Sequence, residues 1–155
     1  QKVWDEITKQ GSIQRPLYNT FLDIDLKPGG RLRYSTEDRK RWFVAGEVLD
    51  VDPPRLLRHT YIFGLKPEAD TVVTWKLDDV EGGTRVTITH SGWTAEHTKP
   101  EKHEAGWNEI LGLLKAEVET GDIPRKMKVI YWLQGLFLFA MPATTKKEYA
   151  DERGW

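Results

Sequence analysis

The sequence predicts an α+β fold in which an antiparallel sheet is closed by a single amphipathic helix, and three segments carry that prediction. Gly46 to Phe63 (GEVLDVDPPRLLRHTYIF) reads as two strands around a double proline, Gly82 to Trp93 (GGTRVTITHSGW) as an alternating strand, and Ala105 to Gly121 (AGWNEILGLLKAEVETG) as a helix. A sheet packed on one helix tends to leave a pocket between the two layers.

The chain opens on a short helix within Lys2 to Gln10, because Val3, Trp4 and Ile7 lie three and four residues apart and share a face. Gly11 to Asn19 is polar and irregular. Thr20 to Leu26 then sets Phe21, Asp23 and Asp25 against Leu22, Ile24 and Leu26, the period-two sign of a half-buried strand. Lys27 to Gly30 turns the chain into a partner strand, Arg31 to Ser35. Glu37 to Lys40 is a charged hairpin tip, and Trp42 to Val51 is the next strand. Asp52, Pro53 and Pro54 impose a reversal, since proline fixes φ and has no amide donor for a ladder. Leu56 to Phe63 follows as a strand. Val72 to Leu77 and Thr84 to Ser91 form a hairpin closed by Glu81, Gly82 and Gly83. Alternation puts Val73, Trp75 and Leu77 on one face with Val86, Ile88 and His90, and turns Arg85, Thr87 and Thr89 away from it. In the closing helix Trp107, Ile110, Leu111, Leu114 and Val118 repeat at 3.6 residues and Gly121 is placed to stop it, while Glu109, Glu117 and Glu119 are expected in water.

At 155 residues the chain suits one core. It has no cysteine, which excludes a disulfide framework, a thiolate metal site and a cysteine nucleophile, and fits a cytoplasmic setting. A net charge of −1 with both signs interspersed offers no footprint for nucleic acid. No glycine-flanked nucleophilic serine, P-loop, dinucleotide fingerprint or HExxH pattern is present, so no catalytic residue, metal or cofactor is assigned.

The candidate ligand contacts are the inward-facing residues. His59 and Tyr61 point the same way as Leu57, and His90 follows Val86 and Ile88, so both histidines are expected to enter the apolar interior and to orient a ligand rather than to catalyse. Val73, Trp75, Trp107 and Leu111 complete the predicted wall. Arg33 and Arg58 are read as solvated residues of the outer sheet face, and His97 and His103 as surface histidines.

The GEVLDVDPPR turn, the GGTRVTITHSGW strand and the Gly106–Trp107 helix start resemble the SRPBCC superfamily. Within it they are most similar to the domain like the C-terminal part of the heat-shock-protein-90 ATPase activator. The resemblance runs from about Lys2 to Gly121 and implies a helix-grip, START-like fold: a curved antiparallel sheet wrapped around a long C-terminal helix, with a hydrophobic cavity between them. On this reading residues 1–121 form the family domain and 122–155 a helical extension. Family members carry a strand before the segment matching Lys2 to Thr8, and the chain begins without it and without a methionine, as a truncated chain would. The implied function is binding or transport of a small hydrophobic ligand, lipid-like or polyketide-like. The alternatives are a chaperone-associated protein that stimulates a partner ATPase, and a cavity enzyme, a cyclase or hydrolase, using His59 or His90.

The extension holds an apolar run, Val129 to Met141, with Arg125, Lys126 and Lys128 before it and Lys146 and Lys147 after it. At about 13 residues it falls short of the ~20 that span a bilayer. It can pack on its own sheet or on a twin subunit, making residues 125–141 a homodimer surface. It can also cover the cavity, or lie on a membrane surface. Burial within protein is expected, because apolar residues circle most of the helix axis, whereas an interfacial helix keeps a polar face.

Overall fold

A computed structural model describes residues 1–94 and 100–155. Among these residues seven antiparallel strands run in sequence order as a single curled meander: β1 (Ile13–Gln14), β2 (Thr20–Ile24), β3 (Arg31–Ser35), β4 (Trp42–Asp52), β5 (Leu56–Phe63), β6 (Thr71–Val80) and β7 (Gly83–Ser91). Among the described residues four α-helices accompany them: α1 (Lys2–Ile7), α2 (Glu101–Thr120), α3 (Arg125–Leu136) and α4 (Lys147–Asp151). The segment expected to be irregular supplies the two-residue β1, which pairs Ile13 with Phe21 and covers the β2 edge.

Register sorts the side chains. Val73 faces His90 across β6 and β7, Trp75 faces Ile88, and Leu77 faces Val86, so the predicted faces meet as cross-strand pairs. Leu22, Leu32, Val48, Leu57, Val73 and Trp75 form the centre of the main core, and Ile110 and Leu114 of α2 close it from the other layer. A bulge between Val48 and Asp50 re-aims β4 where it pairs with β5. Close by, a Cβ on Gly46 would run into the Thr60 carbonyl, so only glycine fits there. Trp4 and Ile7 of α1 plug one end of the core, and Gln14 Nε2 donates to the Glu6 and Lys9 carbonyls at 2.9 and 3.2 Å, tying α1 to the sheet edge.

Three sequence expectations change. Glu117 is not in water: Arg15 Nη2 donates to its Oε1 at 2.6 Å, while Arg15 Nη1 reaches Asp122 at 2.9 Å and the second guanidinium nitrogen also meets the Gly121 carbonyl. Arg15 thereby clamps the end of α2. Leu111 is only half-buried, outside the main core, and it is Leu113 that is buried, in a second cluster with Ile123, Met127 and Tyr131 of the extension. The helix has two apolar stripes because it packs on two partners. Arg33 is buried as well. It lies on the outer sheet face under α4, with Nη1 donating to Asp151 at 2.8 Å and with Nε and Nη2 buried and unpaired, whereas Arg58 is exposed as expected.

The extension crosses the molecule. Tyr131 Oη donates to the Arg15 carbonyl at 2.9 Å, anchoring α3 beside α2. Beyond it, Trp42 Nε1 donates to the Thr144 carbonyl at 2.8 Å, Thr144 donates to the Gly64 carbonyl at 2.9 Å, and Arg41 bridges to Lys146. Trp42, Ala45, Ile62 and Ala150 then form a small core on the sheet face opposite α2, capped by Tyr149 and Trp155. Because a half-satisfied buried cation is costly, Arg33→Leu is expected to be neutral or stabilising, whereas Asp151→Ala costs about 1–3 kcal/mol. Urea unfolding of the two variants checks this, and equal losses would refute it.

Candidate functional site

Between the inner sheet face and α2 lies a cleft of about 1230 Å³. Its walls combine aromatic rings from four strands with one from α2: Tyr34 of β3, Phe43 of β4, Tyr61 and Phe63 of β5, Trp75 of β6 and Trp107 of α2. Trp75 and Trp107 meet edge to face, with centroids 5.9 Å apart, a favoured geometry for aromatic pairs. The extension spans the mouth through Ile130, Leu133, Phe137, Leu138 and Met141.

Of the ten residues singled out in the sequence, His59, Tyr61, Trp75 and Trp107 line this cleft. Leu57 and Val73 are fully buried core residues, with Val86 and Ile88 packed against them. His90 sits behind the Tyr61 and Trp107 rings, and Leu111 lies on the helix away from the cleft wall. Several lining residues were not anticipated. Tyr34 follows from the alternation of Leu32 and Tyr34 on β3, but the contributions of Tyr18 and of the extension leave no local signal. Tyr18 and Asn19 adopt positive φ, at 55° and 58°, which swings the chain between the 3₁₀ turn Arg15–Leu17 and β2. Burial, helped by a hydrogen bond to Glu109, pushes the Tyr18 phenol up to about 12.

The two inward histidines are held differently. His59 is 2% exposed, and the Thr60 carbonyl at 2.7 Å from Nδ1 fixes the proton on that nitrogen. Burial lowers its pKa to about 4, so the ring is neutral at neutral pH. His90 has Trp107 Nε1–H donating to its Nδ1 at 3.1 Å, which makes Nδ1 the acceptor and places the proton on Nε2, 2.7 Å from Thr71 Oγ1. Thr71 Oγ1 in turn donates to the Tyr61 carbonyl at 3.1 Å. The chain from Trp107 through His90 to Thr71 therefore ties α2 to the sheet by directional bonds.

His103, expected at the surface, is half-buried among rings: 4.9 Å from Trp93, 5.4 Å from His90 and 6.3 Å from Tyr61, between centroids. Burial lowers its pKa. His97 lies outside the described residues. Among the described residues no group of three histidine or carboxylate side chains is gathered for a metal ion, and no helix is long and apolar enough to cross a membrane.

A curled antiparallel meander gripping a long helix over an aromatic cleft defines an α+β protein of the helix-grip class, within the SRPBCC superfamily. The chain belongs to the family described as Activator of Hsp90 ATPase homolog 1-like protein, whose model matches residues 1–119. No curated protein matches it. Among solved structures it is similar to DynU16, a protein of the dynemicin biosynthetic locus, at 23% identity and a TM-score of 0.64 over 79% of this chain, which spans only 44% of that one. It is also similar to CalU16 from Micromonospora echinospora, at 23% identity and a TM-score of 0.55, covering 90% of this chain and 78% of that one. The Aha1 dimer from Colwellia psychrerythraea aligns at 21% identity with a TM-score of 0.56, over 78% and 88% of the two chains. At these identities the likeness is one of fold.

Proposed function

We propose that this protein binds a small hydrophobic ligand, lipid-like or polyketide-like, between the sheet and α2, and performs no reaction on it. The observation that carries this reading is the cleft itself: about 1230 Å³ walled by aromatic rings, more than the ~300–1,000 Å³ of ordinary small-molecule sites. Apolar wall contacts supply the affinity, and a few polar groups, His59 and the Tyr18 and Tyr34 hydroxyls, set orientation. A neutral His59 adds no charge to the wall at neutral pH.

Gly106 offers a test that separates binding from folding. It lines the cleft on α2, and a Cβ there meets, among the described residues, only Tyr18 Oη at 3.3 Å. Gly106→Leu should therefore put four carbons into the cleft while gaining roughly 0.5–1 kcal/mol of helix propensity. Titration with a fluorescent fatty acid, read by energy transfer from tryptophan, is expected to show at least tenfold weaker binding in a variant that unfolds no earlier than the parent. Equal binding by both proteins would overturn the reading. Native mass spectrometry of fresh protein, with organic extraction of what co-purifies, identifies the ligand class.

The family description supports a second reading, in which the protein stimulates a chaperone ATPase by surface contact. Faster ATP hydrolysis by an Hsp90-class chaperone on adding this protein would favour it, and an unchanged rate would remove it. The cavity-enzyme reading has the weakest geometric support, because hydrogen bonds at both ring nitrogens of His90 join α2 to the sheet and His59 Nδ1 donates to the backbone carbonyl of the next residue, Thr60.

A further inference from the structure

The extension leaves an apolar surface uncovered. Helix α3 buries one stripe, Met127 and Tyr131, against α2. Its other stripe, Val129, Trp132, Leu133 and Leu136, follows the i, i+3, i+4, i+7 spacing of a single helix face, and each of these residues is more than two-fifths exposed. Phe137 and Phe139 extend this stripe past the helix end at 61% and 79% exposure, with Trp132 at 65%. Six large apolar side chains exposed in eleven residues exceed the scattered exposure of an ordinary surface. The expected burial of this segment therefore holds for only one of its two faces.

Along the chain, the segment that carries the stripe has charges of one sign. From Ile123 to Lys147 there is no aspartate or glutamate, and there are five cations: Arg125, Lys126, Lys128, Lys146 and Lys147. Lys128 pairs with Asp122 and Lys147 with Asp151, while Arg125, Lys126 and Lys146 make no ion pair among the described residues. Arg125 lies one turn before Val129 on the same face. The first turn of α3 carries basic residues and no acid, although the macrodipole makes that end of a helix unfavourable for cations. This placement becomes favourable beside an external array of negative charge.

We propose that the exposed face of α3 and the segment to Phe139 docks on an anionic lipid bilayer, its aromatic residues at the headgroup level and its unpaired cations on the lipid charges. A second copy of the chain is the competing occupant. A twofold contact would, however, set the same face against itself and bring two sets of these cations together. Leu133 and Phe137 belong both to this surface and to the cleft wall, so docking sets the mouth of the cleft against the bilayer. The proposal stands apart from the reading of the cleft, since a bilayer can hold the protein whether or not the cleft holds a ligand.

Flotation of the purified protein with vesicles tests it. Vesicles of phosphatidylcholine with 30% phosphatidylserine are compared with pure phosphatidylcholine at about 0.1 M salt. With roughly fivefold in affinity per cation at the surface, the two unpaired cations of α3, Arg125 and Lys126, give roughly a 25-fold preference for the anionic vesicles. Trp132→Ser with Phe139→Ser, and separately Arg125→Glu with Lys126→Glu, are each expected to lower binding at least tenfold. All four residues are exposed, so circular dichroism should be unchanged. Raised salt should release the protein. The proposal is overturned if the parent protein does not float with anionic vesicles, or if both vesicle types bind equally. It is also overturned if sedimentation shows a dimer that Trp132→Ser dissociates while vesicle binding is absent.

Discussion

Trp42→Ala is expected to lower the free energy of unfolding by about 3–5 kcal/mol, the cost of emptying a fully buried tryptophan site. The side chain is 0% exposed and forms the centre of the outer-face core, 5.6 Å from the Trp155 ring, and it donates a hydrogen bond to the Thr144 carbonyl. Its loss removes both the apolar floor on which Ala150 and Trp155 rest and a tie holding the extension to β4. Hydrogen exchange should accordingly rise across residues 143–155 more than in β6 and β7, whose core lies on the other face. Urea unfolding gives the magnitude. A loss below about 1 kcal/mol would show that the extension does not depend on this contact.

The second large effect is a pH dependence centred on His59. The ring is neutral in the fold with a pKa near 4, against an ordinary value of 6.5. The unfolded chain therefore binds the proton more tightly, and protonation favours unfolding. Above about pH 6.5 this contribution is fully present. It falls away between roughly pH 6.5 and 4, by on the order of 3 kcal/mol, and changes little further below that. Asp122 and Asp151 have carboxyl pKa values lowered by hydrogen bonds to Lys128 and Lys147 respectively. What they contribute is lost only as pH falls below the ordinary carboxylate range, so the two windows are separate. Replacing the ring with an apolar group, His59→Leu, should reduce the slope between pH 7 and 4.5, leaving there the contribution of His103, whose pKa burial also lowers. A ring titration in the parent protein with a midpoint near 6.5, followed by proton NMR, would refute the assignment. Because His59 lines the cleft, apolar ligands should also bind less well as it takes up a proton.

Much of the sheet is legible in the sequence. β5 runs over Leu56–Phe63 as read, and Val73, Trp75 and Leu77 face Val86, Ile88 and His90 as alternation required. Period-two patterning is decisive there because one face is buried and the other wet, so a one-residue slip would expose the whole apolar set. The aromatic wall was half legible for the same reason. His59, Tyr61, Trp75 and Trp107 could be placed by parity and helical period, whereas the mouth of the cleft is built by residues 130–142, whose positions depend on where the extension docks.

The misreadings share a cause. Arg33 finds Asp151 at a separation of 118 residues, and Arg15 finds Glu117 at 102. An isolated charged residue in a strand or helix is correctly expected in water unless a distant partner arrives, and nothing local announces the partner. Periodicity for a helix packed on one layer favours Leu111 over Leu113, whereas α2 buries a second stripe, with Leu113 in it, under α3.

The sequence by itself determined the order of strands β2 to β7 and of the closing helix, the inner face of the sheet and the kinship with the activator family, because these rest on local periodicity and on motifs contiguous in the chain. Only the tertiary structure decided that the extension spans the cleft, caps the opposite sheet face and leaves Trp132, Phe137 and Phe139 uncovered. Those outcomes depend on contacts between residues about a hundred positions apart, for which neither propensity nor period carries any information.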